Sequence, residues 1–354
     1  FSGKGASASV IRSFQLSDIF LIQGLSRHST KLNTIQGLLQ PYSALGMALT
    51  SILPWDEAKV ATYVLHQRQH NLARTGFLQA QKRPGRHEAD LLLLAPALDT
   101  SRGHPAIWEK LLSYYTNEAM QQGIARLYVD VPDQPLPVAS FTHVGFRVYT
   151  RQTIWRLPAT AVASLGEVLP NNIRPQQKED DWGLRRLYTR VTPQPVQQAE
   201  GQQMHEIVNP PILDWWQPFV RNSFVLVVKN QIEGCIRIGY GHRGVWLQIW
   251  VDTTNADSTF IHQLIRFALT EVWKHHVRKP VYLGVRDYHG ALGTVLSEYG
   301  FAPFTDRAKM VKHLVQWVKA TESAVAPVLE SVPEAVVAPF TAPRPADDHI
   351  LDIY

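Results

Sequence analysis

The sequence predicts an α/β protein of the mixed α+β kind: two tandem domains of one plan, each a mostly antiparallel mixed sheet flanked by helices, followed by a disordered C-terminal tail. Three observations predict it. The same words recur in the same order: Ile11-Arg12 with Asp18 and later Gly145-Phe146-Arg147-Val148-Tyr149-Thr150, then Ile173-Arg174 with Asp180 and later Gly300-Phe301-Ala302-Pro303-Phe304-Thr305. Each stretch has the length of an ordinary domain, so the repeat implies a duplication with two autonomous cores rather than a solenoid. Second, each copy carries one long helical stripe followed at once by an apolar strand. Third, residues 321–348 alternate Ala, Val, Pro and Glu with no helical or strand period, the composition of an extended chain. The expected boundaries are 9–157 and 172–316 for the two domains, 158–171 for a small-residue, Pro-bounded linker and 320–354 for the tail.

In the first copy a strand over Ser9–Phe14 leads into helix from Leu16, and helical periodicity continues before Pro54 and from Trp55 to Ala73. Strands follow at Thr75–Gln81 and Ala89–Ala95, then the turn-rich loop Asp99–Pro105. A helix over Pro105–Gln122 has Pro at its first turn, a stripe of Ile107, Leu111, Leu112, Tyr115 and Ala119, and Gly123 just past its end. Strand Ala125–Val131, short helix Val138–His143 and the Gly145 stop complete the copy. The second copy repeats the plan with strands Ser223–Lys229, Gly234–Ile238 and Gly244–Val251, the first two joined by an Asn230-Gln231 hairpin. Helix Ser258–His276, strand Val281–Val285 and short helix Ala291–Glu298 then lead to Gly300-Phe301.

Composition sets the outer limits. A chain of 354 residues, 45% hydrophobic and 18% charged, can bury two cores. Its single cysteine, Cys235, excludes an internal disulfide and a cysteine-rich zinc site and fits a reducing, cytoplasmic setting. The longest apolar run, Leu91–Leu98, is too short to cross a bilayer, and residues 1–9 carry no apolar stretch of signal-peptide type. The formal charge of +5 is uneven: the segment from Ala320 holds six acids against one base, so the remainder is strongly basic. Its Lys and Arg are scattered rather than clustered, which argues against nucleic acid. The final His349-Ile350-Leu351-Asp352-Ile353-Tyr354 regains apolar character and is a candidate contact for a protein partner.

The order strand, helices, antiparallel strands, loop, long helix, strand, short helix ending in Gly-Phe resembles the GNAT superfamily of acyl-CoA-dependent N-acetyltransferases, in both copies. The resemblance is carried by Ile11-Arg12 and Ile173-Arg174-Pro175 with Asp180-Asp181, by the helix–strand pairs Pro105–Val131 and Ser258–Val285, and by Val144-Gly145-Phe146 and Tyr299-Gly300-Phe301. It implies acetyl-CoA or another acyl-CoA as a substrate, a small-molecule or protein amine as acceptor, and no metal. It also implies a diphosphate held by backbone NH groups of the loop before the long helix. In the first copy that loop is Arg102-Gly103-His104-Pro105-Ala106-Ile107, where Pro105 removes one NH. In the second copy Thr253-Thr254-Asn255-Ala256-Asp257-Ser258 has no Gly and no base but adds an acid, which repels phosphate. At the family's proton-donating Tyr stand Phe141 and Leu296, neither able to donate. The remaining catalytic candidates are His143 as acid and Glu88 and Asp90 as bases, with Asp252 in the second copy. The sequence therefore points to an acyltransferase-like protein whose surviving site is in the N-terminal copy, or to a degenerate pair serving as a binding or structural module in a larger assembly.

Two further patterns have bland readings. His66 and His70 stand one helical turn apart in the expected helix with no third ligand nearby. Trp246 and Trp250 share one strand face and suit core or interdomain packing, or an aromatic acceptor wall.

Overall fold

The architecture comes from a computed structural model, which describes residues 9–41, 43–50, 60–69, 72–161, 172–200, 220–253, 258–275 and 278–314. In chain order the first copy supplies β1 (Ser9–Ser13), α1 (Ile19–Ser26), β2 (Thr30–Lys31), α2 (Thr34–Leu39), α3 (Ala44–Thr50), β3 (Val60–Gln69), β4 (Leu72–Lys82), β5 (Glu88–Ala95), α4 (Pro105–Gln121), β6 (Arg126–Pro132), α5 (Pro135–His143) and β7 (Arg147–Leu157). The second supplies β8 (Ile173–Pro175), α6 (Asp181–Val191), α7 (Gln194–Glu200), β9 (Val220–Val228), β10 (Gln231–Tyr240), β11 (Val245–Val251), α8 (Thr259–Lys274), β12 (Val281–Arg286), α9 (Leu292–Glu298) and β13 (Ala302–His313).

These strands form one sheet in the order β1-β3-β4-β5-β6-β13-β7-β12-β11-β10-β9-β8, with β2 pairing beside β5. The centre departs from two autonomous cores. Each copy ends in a single strand, and each of those strands is inserted into the other copy: β13 lies between β6 and β7, and β7 between β13 and β12. Side chains alternate across a strand, so β13 sends Ala308 and Met310 into the first copy's core beside Leu111, Leu127 and Phe141. Leu157 of β7 enters the second copy's core beside Leu264, Val281 and Phe301. Helices cross over as well. Leu39 of α2 packs on Trp246 and Tyr282 of the second copy, and Ala199 of α7 packs on Tyr128 of the first. Of the roles open to it, Trp246 thus has the packing one, between the two copies.

The repeated words are structural. Arg12 donates to both oxygens of Asp18 at 2.6 and 2.8 Å, and Asp18 accepts the Gln15 amide. Arg174, Asp180 and Gln177 repeat that clasp at 2.7, 2.7 and 2.8 Å. Each clasp ties the copy's first strand to the head of its first helix. Gly145 and Gly300 have φ of 90° and 82° and let the chain turn back at the ends of α5 and α9. The next amide then reaches into the last turn, Phe146 to the Phe141 carbonyl and Phe301 to the Leu296 carbonyl, both at 3.1 Å. This is a Schellman-type stop with its hydrophobic contact, the Phe141 and Phe146 rings lying 5.1 Å apart.

One expected helix is a hairpin. Residues 60–69 form β3 and pair with β4, so helix Trp55–Ala73 does not form over the described residues. Val60 and Val64 face one apolar layer, Tyr63 and Leu65 the other. A strand buried on both faces shows no period of two, and its apolar run imitates a helical stripe. The expected hairpin forms, but its turn is Lys229-Asn230, both left-handed, one residue before the expected Asn230-Gln231, and Gln231 already pairs with Val228 in β10. The linker beyond Ala161 and the tail lie outside the described residues.

Candidate functional site

In both copies two neighbouring strands run parallel for only three residues and then part. In the first copy Glu88–Asp90 pairs with Arg126–Tyr128; in the second Val245–Leu247 pairs with Val281–Leu283. Where β5 leaves β6, the first copy fills the gap with its own backbone. Thr30 and Lys31 pair with Leu94 and Leu93, and the Leu32 amide donates to the Leu92 carbonyl at 2.9 Å. Leu92 is the extra residue at a bulge opposite Gln79 and Ala80. From the other side the Asp130 amide donates to the Leu32 carbonyl at 3.0 Å, and Arg307 of β13 donates to the Lys31 carbonyl at 2.8 Å. Leu32 is buried, and Asn33 then caps α2 through the Gln36 amide. Among the described residues of the second copy no strand pairs with β11 beyond Leu247 on the β12 side.

A second feature is a polar cluster on the face that carries α7, drawn from both copies. Glu200, at the end of α7, accepts from Arg286 at 2.7 Å through Oε1 and from the Tyr188 hydroxyl at 2.8 Å through Oε2. Asp130 accepts from Arg307 and from Gln152. Arg83 forks onto Asp90 with two 2.8 Å bonds, donates to Glu88, and stacks on Tyr128 at 4.2 Å. Tyr128 reaches across to the Ala199 carbonyl at 3.1 Å. Burial alone would raise the Glu200 carboxyl, yet Arg286 and Lys309 hold it below the usual carboxylate range. Burial pushes Tyr128 up to about 12 with help from Glu88, and raises Tyr149 further from its ordinary value. His289, desolvated and beside Arg286, falls to about 3 and stays neutral. Burial also lowers the Lys309 ammonium.

No protein-family model matches the chain, and no curated protein matches it in sequence. Solved structures do. A tandem GNAT protein from the clavulanic acid biosynthesis pathway aligns over 87% of this chain and 99% of its own, at 13% identity and a TM-score of 0.49. A GCN5-related N-acetyltransferase from Sphaerobacter thermophilus covers 87% and 96% at 11% and 0.49, and a GNAT-family acetyltransferase from Colwellia psychrerythraea 86% and 99% at 12% and 0.39. At these identities and TM-scores the likeness says nothing of substrate or activity.

The residues expected to carry chemistry lie apart. His143 is exposed at the end of α5, 3.3 Å from Glu109. Glu88 and Asp90 lie across the sheet, both held by Arg83. Phe141 and Leu296 are core residues with no exposure. In the diphosphate loop Arg102 is exposed, the Gly103 amide donates to the Thr100 carbonyl, Ala106 to the His104 ring and Ile107 to the His104 carbonyl. With Pro105 lacking an NH, the first-turn amides of Ala106 and Ile107 are both committed to His104. Gly103 is needed because a Cβ there would run into the Ala97 carbonyl. His66 is tied to Asp18 at 3.1 Å, and His70 lies outside the described residues. No group of three or more His, Cys, Asp or Glu suited to a metal occurs among the described residues, and none of their helices is long and apolar enough to cross a membrane. The α7-side cluster went unseen in the sequence because its members are scattered from Arg83 to Lys309 with no local spacing.

Proposed function

We propose that the chain is a GNAT-like pair serving as a binding or structural module, and that its first copy does not transfer acyl groups. The observation that carries this is the pairing of Thr30–Leu32 along β5. Acyl transfer needs a free strand NH to polarise the thioester carbonyl and free loop NH groups for the diphosphate. In the first copy the strand edge is taken by the chain itself, and the Gly103, Ala106 and Ile107 amides of the loop are bonded internally. The absence of a tyrosine at Phe141 and of any contact between His143 and Glu88 or Asp90 supports the same reading. Calorimetric titration of the full chain with acetyl-CoA tests it: no saturable heat is expected, and saturable binding weakened by Arg102→Ala would refute it.

A second reading is favoured by one observation, the edge of β11 beyond Leu247 that no described strand covers toward β12. On that reading acyl-CoA and an amine acceptor meet in the second copy. Saturable binding that Arg102→Ala leaves unchanged would support it over the first.

A further inference from the structure

Bases that lie scattered along the sequence are gathered by the fold at one end of the second copy. β7, β12, β11 and β10 are neighbours in the sheet, and their ends at Leu157, Val281, Val245 and Tyr240 lie side by side. Arg156 is next to last in β7, Arg278 and Lys279 precede β12, and Arg243 sits in the turn between β10 and β11. Contacts tie these ends together. The Lys279 ammonium donates to the Gly241 carbonyl at 3.1 Å, and the His275 ring lies 5.4 Å from that of Tyr240. Gly244 is closed in by Tyr282 and the Pro280 carbonyl, which would stand 2.8 and 3.1 Å from a Cβ there. Lys31 joins from the first copy. The Arg243 amide donates to the Leu39 carbonyl of α2, and burial, then the Arg243 guanidinium, lower the Lys31 ammonium.

No carboxylate balances this row. Among the described residues Lys31, Arg156, Arg243, Arg278 and Lys279 have no ion-pair partner. Glu271, near the end of α8, is committed to Lys274 at 2.8 Å, and Asp306, further along β13, accepts from Thr153. Arg156, Arg243 and Arg278 are exposed, and Lys279 is half-buried. With strands about 4.8 Å apart, the row from β7 to β10 is roughly 15 Å long.

An aromatic ring stands at the β7 end of the row. The β13–β7 register pairs Pro303 with Trp155 and Thr305 with Ile154, so Phe304 is the extra residue of a bulge, and a bulge re-aims its side chain. The Phe304 ring is 47% exposed, lies 5.9 Å from Tyr282 and carries the Arg156 guanidinium at 5.5 Å.

We propose that this end of the second copy binds a single-stranded nucleic acid, the five bases following its phosphodiester backbone and Phe304 stacking one nucleobase. A row of bases beside an exposed ring is what tracks a backbone without reading its sequence. A duplex keeps its nucleobases stacked inside and leaves the ring unused, and an acidic polypeptide would meet the charges but not the ring. The row lies at the opposite end of β11 from the uncovered edge beyond Leu247, so it stands or falls apart from both functions proposed above.

Fluorescence anisotropy of labelled 20-nucleotide oligo-dT and oligo-U with the full chain, over a series of salt concentrations, tests the proposal. Saturable binding is expected at low salt, with log affinity falling against log salt at a slope of about −2 to −3.5, since each neutralised phosphate contributes roughly 0.7. The double variant Arg243→Gln, Lys279→Gln should bind about tenfold more weakly with a slope shallower by about 1. Phe304→Ala should lose about tenfold in affinity at unchanged slope. Arg147→Gln, an exposed base at the other end of β7, should change neither. Four results would overturn the proposal. They are no saturable binding at low salt, a loss in Arg147→Gln equal to that of the double variant, unaltered binding in Phe304→Ala, and tighter binding of a 20-base-pair duplex, polyglutamate or phosphatidylserine vesicles than of either oligonucleotide.

Discussion

Met310→Ala tests the strand exchange with a single side chain. Met310 belongs by sequence to the second copy, yet it is fully buried in the first copy's core with Leu111, Leu127 and Phe141. Truncating a buried methionine costs about 2–5 kcal/mol through lost transfer energy and an incompletely collapsed cavity. The neighbours are β-sheet and long-helix residues that cannot easily close the gap, so the upper half of that range, roughly 3–5 kcal/mol, is expected. Against a domain stability of about 5–15 kcal/mol the variant should remain folded. Urea unfolding reads the total loss as a lower midpoint at unchanged slope. Native-state hydrogen exchange reads its place: amides of β4, β5 and α4 should lose protection while those of α8 and β10 keep theirs. Lost protection confined to α8, β10 and β11 would refute the exchange, because Met310 would then serve its own copy.

Glu200→Leu should destabilise by about 3–5 kcal/mol by leaving Arg286 desolvated and unpaired, and adding Arg286→Met should restore most of it; an additive double mutant in denaturant titration would deny the pairing. His289 is held at about 3 by burial and by Arg286, below the value of an unfolded histidine near 6.5. Its contribution is therefore complete above about pH 6.5 and is lost as pH falls toward 3, because the unfolded chain takes a proton that the folded one refuses. By pH 5 this amounts to about 2 kcal/mol at most, and His289→Asn should flatten stability across that window; an unchanged slope would show that the imidazole is protonated in the fold.

Much of the plan was legible because it rests on local chemistry. The Arg12–Asp18 and Arg174–Asp180 clasps, the Gly145 and Gly300 stops and the Pro105 helix start are all short-range, and a duplicated short-range signal is readable twice. What escaped depended on distant partners. The strand over residues 60–69 hid because both its faces are buried. Thr30–Leu32 has no strand pattern of its own and is ordered by the edge of β5. The exchange of β7 and β13 has no local signature, since each strand looks the same whichever copy it completes. For the site, Gly103 seemed poised for a phosphate because Gly before a helix suits one, but it serves the close approach of Ala97. Glu88 and Asp90 were singled out as candidate bases by the resemblance, while Arg83, which commits them, sits outside any motif.

The central claim, that the first copy's strand edge is occupied by its own chain, is most directly tested by amide hydrogen exchange at Leu32 and Asp130 with and without excess acetyl-CoA. The pairing of Leu32 with Leu92 and of Asp130 with Leu32 predicts slow exchange at both amides that acetyl-CoA leaves unchanged. Fast exchange at Leu32, or protection there that changes when acetyl-CoA is added, would contradict it.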